Sequence, residues 1–301
     1  MNIEESLANE PDTAEHAQLA AIAREAAAAA ASYLAEVGAG PVEREYKANA
    51  HDIVTIHDRA CEDRIREVLL ARCPEASIVG EEGGTHEGSG PVTFYVDPID
   101  GTSNFATGNP LFGISIGVAV EGVLVGGVVN APALGREFWS DPSGAYLGDQ
   151  RLGPNPERDF ADALVLTGFP GLRDVSEGPA FAERERLALL EGAGAIRNLG
   201  SAALELCFVA AGWADATMLT RINPWDIAAG FHIVEQAGGS VRTWSCRPET
   251  SKENGEVLPQ DCPAYVACAN GKRYPELDSL LQNIHQSRSM QSLPSEGVDH
   301  E

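Results

Sequence analysis

The stretch FYVDPIDGTSNFATG, Phe94 to Gly108, constrains this chain more than any other. An apolar run from Val92 to Val96 leads straight into Asp97. Pro98 lacks the N–H of a ladder and fixes its own φ, so the strand is expected to stop there in a turn. Asp97 and Asp100 then point to one side of that turn. Two close carboxylates do not both stay ionised cheaply without a cation between them. Mg²⁺ prefers carboxylate oxygens and water, and it bridges readily to phosphate. Gly101 lets the backbone approach a ligand. Thr102 and Ser103 open a short helical turn whose free N–H groups suit an anion. A plain Asp-Gly turn capped by Thr102 would carry the same letters. An EF-hand would not, because Asp97, Asp100 and Gly101 have the wrong spacing.

Two other places add acids. VGEEGG puts Glu81 and Glu82 at a second strand end, and NPWDIAAG puts Asp226 at a helix start. Alone, the first reads as a solvated turn. Alone, the second reads as an acid favoured by the helix dipole. Together, Glu81, Asp97, Asp100 and Asp226 are what a two- or three-ion site needs.

At 301 residues the chain suits one large domain or two ordinary ones. Its 44% hydrophobic fraction supplies a core. Residues 1–12 read as disordered and 288–301 as a polar tail. Helical patterns cover Thr13 to about Val37, Arg59 to Pro74, and the stretches GPAFAERERLALLEG, PWDIAAGFHIVEQ and YPELDSLLQNIHQS. Phe112 to Pro132 reads as a hairpin of two apolar strands joined near Glu121 and Gly122. REFWSDPSGAYLGDQRL continues that meander, and ASIVG, ADALVLTGFP, SVRTW and PAYVACAN are further strands. The pattern predicts an α+β half over 13–150 and an α/β half over 151–287, with a soft boundary around Gly148 to Pro156.

Lys and Arg number 21 against 45 Asp and Glu, a formal charge of −24. That balance argues against nucleic acid or an anionic membrane as partner. It also makes an anionic substrate a puzzle unless something local offsets the field. Lys47, Lys252 and Lys272 are the sole lysines, which reads as coding bias or a salt-tolerant acidic surface. Six cysteines without a C-x-x-C pair read as free thiols. The acidic start MNIEESLANEPD does not read as a signal peptide, and the alanine run Ala26 to Ala31 is too short to span a membrane. The expected location is the cytoplasm.

In that order, VGEEGG, YVDPIDGTSNF and PWDIAAG resemble the inositol monophosphatase family of Mg²⁺-dependent, lithium-sensitive phosphatases. The resemblance runs from about Lys47 to Asn270. It implies a layered α-β-α-β-α sandwich of the inositol monophosphatase and fructose-1,6-bisphosphatase type, mixing α+β and α/β character. It implies one Mg²⁺ at Glu81, Asp97, the carbonyl of Ile99 and Thr102. A second lies at Asp97, Asp100 and Asp226, and a third shares Glu81. Asp58, Glu81 and Thr102 form the implied catalytic set, with Asp58 and the Thr102 hydroxyl activating a water. Asp100, Gly101, Thr102, Ser103, Ser201 and Ala202 line the implied substrate site, the last two within LGSAALELC. Lys47 and Asp52, in KANAHDIVTIHD, reach it from a lid loop. The implied reaction is in-line attack of water on phosphorus, with the phosphate against the N–H groups of Gly101 and Thr102. Lithium at the Asp97, Asp100 and Asp226 position is the implied inhibition. Bound cations, rather than lysines, then resolve the charge puzzle. A homodimer and a small phosphorylated metabolite as partner follow from the same resemblance.

The departures concern the substrate. The family's acid that reads the inositol ring falls at Leu219, which puts myo-inositol in doubt. Arg221 nearby is placed to read a second anionic group, or to pair with a surface acid. Ser103 and Asn104 replace the Lys-Glu pair of nucleotide-type relatives, which disfavours 3′-phosphoadenosine-5′-phosphate. An inositol-1-phosphate-like polyol or sugar phosphate leads. Histidinol phosphate and fructose 1,6-bisphosphate stay open. A reading of another class is a fold retained as a regulatory or binding partner. Specificity is expected around Asp174 to Ala182 and Leu219 to Asn223.

Overall fold

The computed structural model describes residues 10–38, 40–43, 45–46, 53–244, 258–262 and 264–291. Helix α1 (Glu10–Val37) is followed by a two-residue ribbon, β1 (Glu45–Tyr46) and β2 (Ile53–Val54), and by α2 (Ile56–Arg72). Then come β3 (Ser77–Gly80), β4 (Gly84–His86), β5 (Val92–Asp100) and α3 (Thr102–Thr107). A meander continues through β6 (Gly113–Val120), β7 (Val123–Ala131), β8 (Arg136–Asp141), β9 (Gly144–Leu147) and β10 (Gln150–Arg151). The later elements are β11 (Leu164–Leu166), α4 (Leu172–Glu177), α5 (Pro179–Gly192), β12 (Ala195–Arg197) and α6 (Ala202–Ala210). They are completed by β13 (Ala216–Leu219), α7 (Pro224–Gln236), β14 (Ser240–Trp244), β15 (Ala264–Cys268) and α8 (Pro275–Gln291).

One sheet has the order β10-β9-β8-β7-β6-β5-β3-β4, and the other β12-β11-β13-β15-β14. Apolar clusters stack them into layers. Leu19, Ala26 and Ala30 of α1 and Ile65 and Leu69 of α2 pack on Phe94, Ile114 and Ile116 of the first sheet. Val129 and Phe138, on its opposite face, meet Leu206 of α6 and Ile227 and Phe231 of α7. Those helices in turn cover Leu166, Tyr265 and Ala267 of the second sheet. Val165, Val266 and Cys268, one residue out of phase, face Leu189 of α5 and Leu277 and Leu281 of α8. The period-2 alternation of side chains thus sends neighbours on one strand into different cores. The result is the layered α-β-α-β-α arrangement.

Several boundaries differ from the sequence reading. Helix α1 begins at Glu10 instead of Thr13, and α8 runs to Gln291, past the expected start of the tail at 288. The EEGG turn leads into β4, which pairs back on β3. Helix α4 was not anticipated. The largest difference concerns Pro98. Strand β5 does not stop there but continues to Asp100, with its register against β6 shifting between Asp97 and Asp100. A bulge absorbs the missing proline donor, which is where a sheet tolerates proline. Of the described cysteines, Cys61, Cys207, Cys262 and Cys268 are buried free thiols and Cys73 is half-buried. No described helix is long and apolar enough to cross a membrane.

Candidate active site

Strand adjacency brings the acids together. β3 runs parallel to β5 with Gly80 beside Val96, and Glu81 N–H donates to Val96 O at 3.2 Å. Glu81 therefore leaves β3 next to Asp97. On the other side of β5, Asp97 pairs with Ser115 of β6. The Ser115 hydroxyl donates to Trp225 O at 3.2 Å, which ties the start of α7 to the sheet. Asp226 is the next residue, at the third helical position behind Pro224. Its Oδ2 accepts the N–H of the cap residue Asn223 at 3.0 Å. Close approach of α7 requires Gly117 and Gly127, which face each other on β6 and β7. A Cβ on Gly117 would lie 2.5 Å from Ala228 Cβ, and one on Gly127 would lie 2.7 Å from Ala229 Cα.

Asp97, Asp100 and Asp226 are all buried and offer oxygens within 4.8 Å of one another. Asp97 also accepts Ile99 N–H at 3.0 Å. Asp100 takes three donors: the Ser201 hydroxyl at 2.5 Å, Ala203 N–H at 2.7 Å and Ala202 N–H at 3.3 Å. Burial, and then the charges of Glu81, Asp100 and Asp226, hold the Asp97 carboxyl well above the usual carboxylate range. Burial foremost, then Asp226, pushes Asp100 up to about 8 despite its donors. Burial pushes Asp226 up to about 6, against the hydrogen bonds of Asp97 and Asn223. Three buried acids that resist ionisation together are relieved by a divalent cation, and an all-oxygen donor set suits Mg²⁺. The residues present fit the ion.

Asp58 stands beside this cluster, buried in the first turn of α2. Thr55 N–H and the Thr55 hydroxyl both donate to its Oδ2, at 2.8 and 2.6 Å. Its Oδ1 faces the Thr102 hydroxyl at 3.2 Å, and that hydroxyl also lies 3.1 Å from Ile99 O. Burial raises the Asp58 carboxyl, opposed by its Thr55 donors. Gly101 caps α3 at φ 90° and contributes no side-chain cap, so no side chain competes for the first N–H groups of that helix. A Cβ on Gly101 would also press on Gly200 O and Leu111 O, each 3.1 Å away. Ser103 lies exposed in the first turn of α3.

Other expected residues sit differently. The Glu81 carboxylate acts on Asp58, Asp97 and Asp226 through space, but it lies outside the tight cluster of three. Ser201 and Ala202, expected to face substrate, direct their donors at Asp100. Leu219 is half-buried at the end of β13, beside Gly168. Arg221 is held by Glu177, with its Nη2 2.5 Å from both carboxylate oxygens, so the surface-pair alternative describes it. Lys47 and Asp52 fall outside the described residues.

Sequence reasoning missed the residues that hold the loops. Glu62 accepts Glu82 N–H and Gly83 N–H, each at 2.8 Å, and so shapes the turn that carries Glu81. Its one available signal was its spacing, a helical turn after Asp58 on the same face. Asn104 Nδ2 donates to Leu111 O at 2.6 Å and to Leu199 O at 2.8 Å. The Leu199 partner is distant in sequence and leaves no local mark.

The layered fold and the buried acid cluster fit a phosphatase class whose site can hold a metal ion. The comparisons agree. A profile of the inositol monophosphatase family matches residues 15–286. An inositol-1-monophosphatase of Synechocystis sp. is 34% identical over 263 residues, 86% of this chain and 87% of that protein. The Nus factor SuhB of Pasteurella multocida is 38% identical over 195 residues, 64% of this chain and 72% of that protein. The crystal structure of the extragenic suppressor protein suhB from Bartonella henselae matches with a TM-score of 0.73 at 29% identity, covering 88% of this chain and 98% of that one. The chain belongs to the inositol monophosphatase family.

Proposed function

We propose that the protein is a Mg²⁺-dependent phosphomonoesterase that hydrolyses a small phosphorylated polyol or sugar. The observation that carries this reading is the convergence of Asp97, Asp100 and Asp226 beside the Asp58–Thr102 pair. Two to three Mg²⁺ held by Asp97, Asp100, Asp226, Glu81 and the Ile99 carbonyl would supply charge neutralisation for phosphate and a lowered pKa for water. The chain's own residues handle the proton. Both Thr55 donors occupy Oδ2 of Asp58, so Oδ1 is the free basic atom. The Thr102 hydroxyl donates to it and keeps lone pairs for an attacking water, whose proton moves to Thr102 Oγ1 as the Thr102 proton moves to Asp58. Gly101 lets the phosphate lie against the backbone N–H groups of Gly101 and Thr102. The alternatives for substrate are histidinol phosphate and fructose 1,6-bisphosphate. A homodimer rests on the family resemblance alone, and a cytoplasmic location on the acidic N-terminal sequence and the short alanine run.

The test is phosphate release from inositol, sugar and histidinol phosphates in Mg²⁺, with and without lithium. We expect release from at least one, inhibition by lithium, and a loss of about 100- to 1000-fold in Asp97→Asn, the range that removal of one strong electrostatic contact gives. Release from none, or equal release by Asp97→Asn, would overturn the reading.

One observation favours a second reading. The Pasteurella relative carries the name of a Nus factor, which fits a chain whose fold serves as a binding partner. A stoichiometric partner recovered equally by the wild type and Asp97→Asn would favour it, and recovery of none would count against it.

A further inference from the structure

The backbone N–H and the backbone carbonyl of Leu199 are each held by a side chain. Glu205 Oε1 accepts the N–H at 3.0 Å, and Asn104 Nδ2 donates to the carbonyl at 2.8 Å. Glu205 lies in the first turn of α6, buried among alanine, leucine and valine. Its other oxygen accepts the Thr217 hydroxyl of β13 at 3.1 Å. The 199–200 peptide is fixed at its other end too, because Asn198 Oδ1 accepts Gly200 N–H at 2.9 Å while Gly200 sits at φ 73°. The loop then delivers Ser201, whose hydroxyl donates to Asp100 Oδ2. The amides of Ala202 and Ala203 follow onto the same carboxylate.

A carboxyl group in such a place is costly to bury, and an apolar side chain of similar volume would fill the space with less penalty. Its hydrogen bonds indicate what it accomplishes. We propose that Glu205 is a positioning residue: by holding Leu199 N–H against the pull of Asn104 on the carbonyl, it fixes the loop that aims Ser201 at Asp100. It contacts no reacting atom itself. Its effect passes through the Leu199–Ser201 backbone to the orientation of the Asp100 carboxylate. Supporting hydrogen bonds of this kind matter because a ligating carboxylate binds well only when its own geometry is held.

The experiment measures amide hydrogen exchange over residues 198–204 in the full chain, together with Mg²⁺ dependence. It uses wild type, Glu205→Gln, Glu205→Asp and Glu205→Leu. Glu205→Gln keeps an acceptor for Leu199 N–H and is expected to stay near wild type. Glu205→Asp draws the carboxylate back by one methylene, and Glu205→Leu removes the acceptor. Both are expected to speed exchange at Leu199 and Gly200 about tenfold or more, with the strands β5 and β13 unchanged. Both are also expected to raise the Mg²⁺ concentration for half activity by about 10- to 100-fold. The KM for phosphate ester should shift less. The activity arm rests on the phosphatase reading and fails with it if wild type releases no phosphate. The exchange arm decides the proposal alone. Unchanged exchange at Leu199 in folded Glu205→Leu would overturn it. If that variant does not fold, unchanged exchange in Glu205→Asp would do so. Faster exchange spread evenly over the whole chain would overturn it too, because that is general destabilisation.

Discussion

Leu219 ends β13 half-buried, with its side chain beside Gly168. An apolar side chain there offers no acceptor to a ring hydroxyl. Glu at this position would offer a charged one, and a hydrogen bond to a charged group contributes about 1.5–3 kcal/mol. Leu219→Glu is therefore expected to raise kcat/KM for inositol 1-phosphate about tenfold or more relative to glycerol 2-phosphate, which has no ring. An unchanged ratio would remove Leu219 from the specificity set. Arg221 shows the opposite outcome for a residue judged by its letter alone. Its partner Glu177 lies 44 positions earlier in the chain, on a helix the sequence reading did not anticipate.

Helix α7 shows how one element carries both chemistry and stability. Asn223, Pro224 and Asp226 start it by local rules that can be read in the letters: a cap, a proline at the first position and an acid near the positive end. Further along, His232 is buried, with Nδ1 2.8 Å from the Ser140 hydroxyl of β8. Burial lowers its pKa from 6.5 to about 4. The unfolded chain therefore takes up this proton before the folded one does. The contribution is whole above pH 6.5 and is lost as pH falls toward 4, a loss of up to about 3 kcal/mol. Urea unfolding of wild type and His232→Gln between pH 7 and pH 4 checks this. Wild type should lose its advantage over the variant across that window, and a constant difference would contradict the assignment.

For the whole molecule, a charge of −24 and three clustered acids are expected to make stability depend on cations. The folded-state pKa values of Asp226 and Asp100, about 6 and about 8, lie above the ordinary value of 3.8. Without metal, the folded chain holds protons that the unfolded chain releases. Stability then falls as pH rises through 6 and 8, and a bound divalent cation offsets the loss. The gap in Tm between Mg²⁺ and EDTA should widen from pH 5 to pH 8. Saturation at about a hundredfold over Kd contributes about 2.7 kcal/mol, a shift of about 5 °C or more. A gap that stays flat with pH, or that survives in Asp97→Asn, would exclude these acids as its source.

What could be read from the letters was whatever nearest neighbours decide. DPIDGT announced carboxylates beside a backbone that admits a ligand, PWD announced a capped helix, and the acids together announced a site able to hold a metal ion. Proline, glycine and capping residues act on the peptide units beside them, so their meaning survives without a fold. Even so, Pro98 made a bulge where a strand end was expected, because the ladder with β6 outweighed one missing donor. The tertiary structure alone decided which acids meet. Parallel pairing of β3 with β5 set Glu81 beside Asp97, and Ser115 with Gly117 and Gly127 set the height of α7 and so of Asp226. It also decided that Glu62, Asn104 and Glu205 hold the loops of the site. Glu62 reaches the turn after β3, Asn104 reaches Leu199, and Glu205 reaches Thr217 of β13, contacts between separate elements that exist only once the layers have packed.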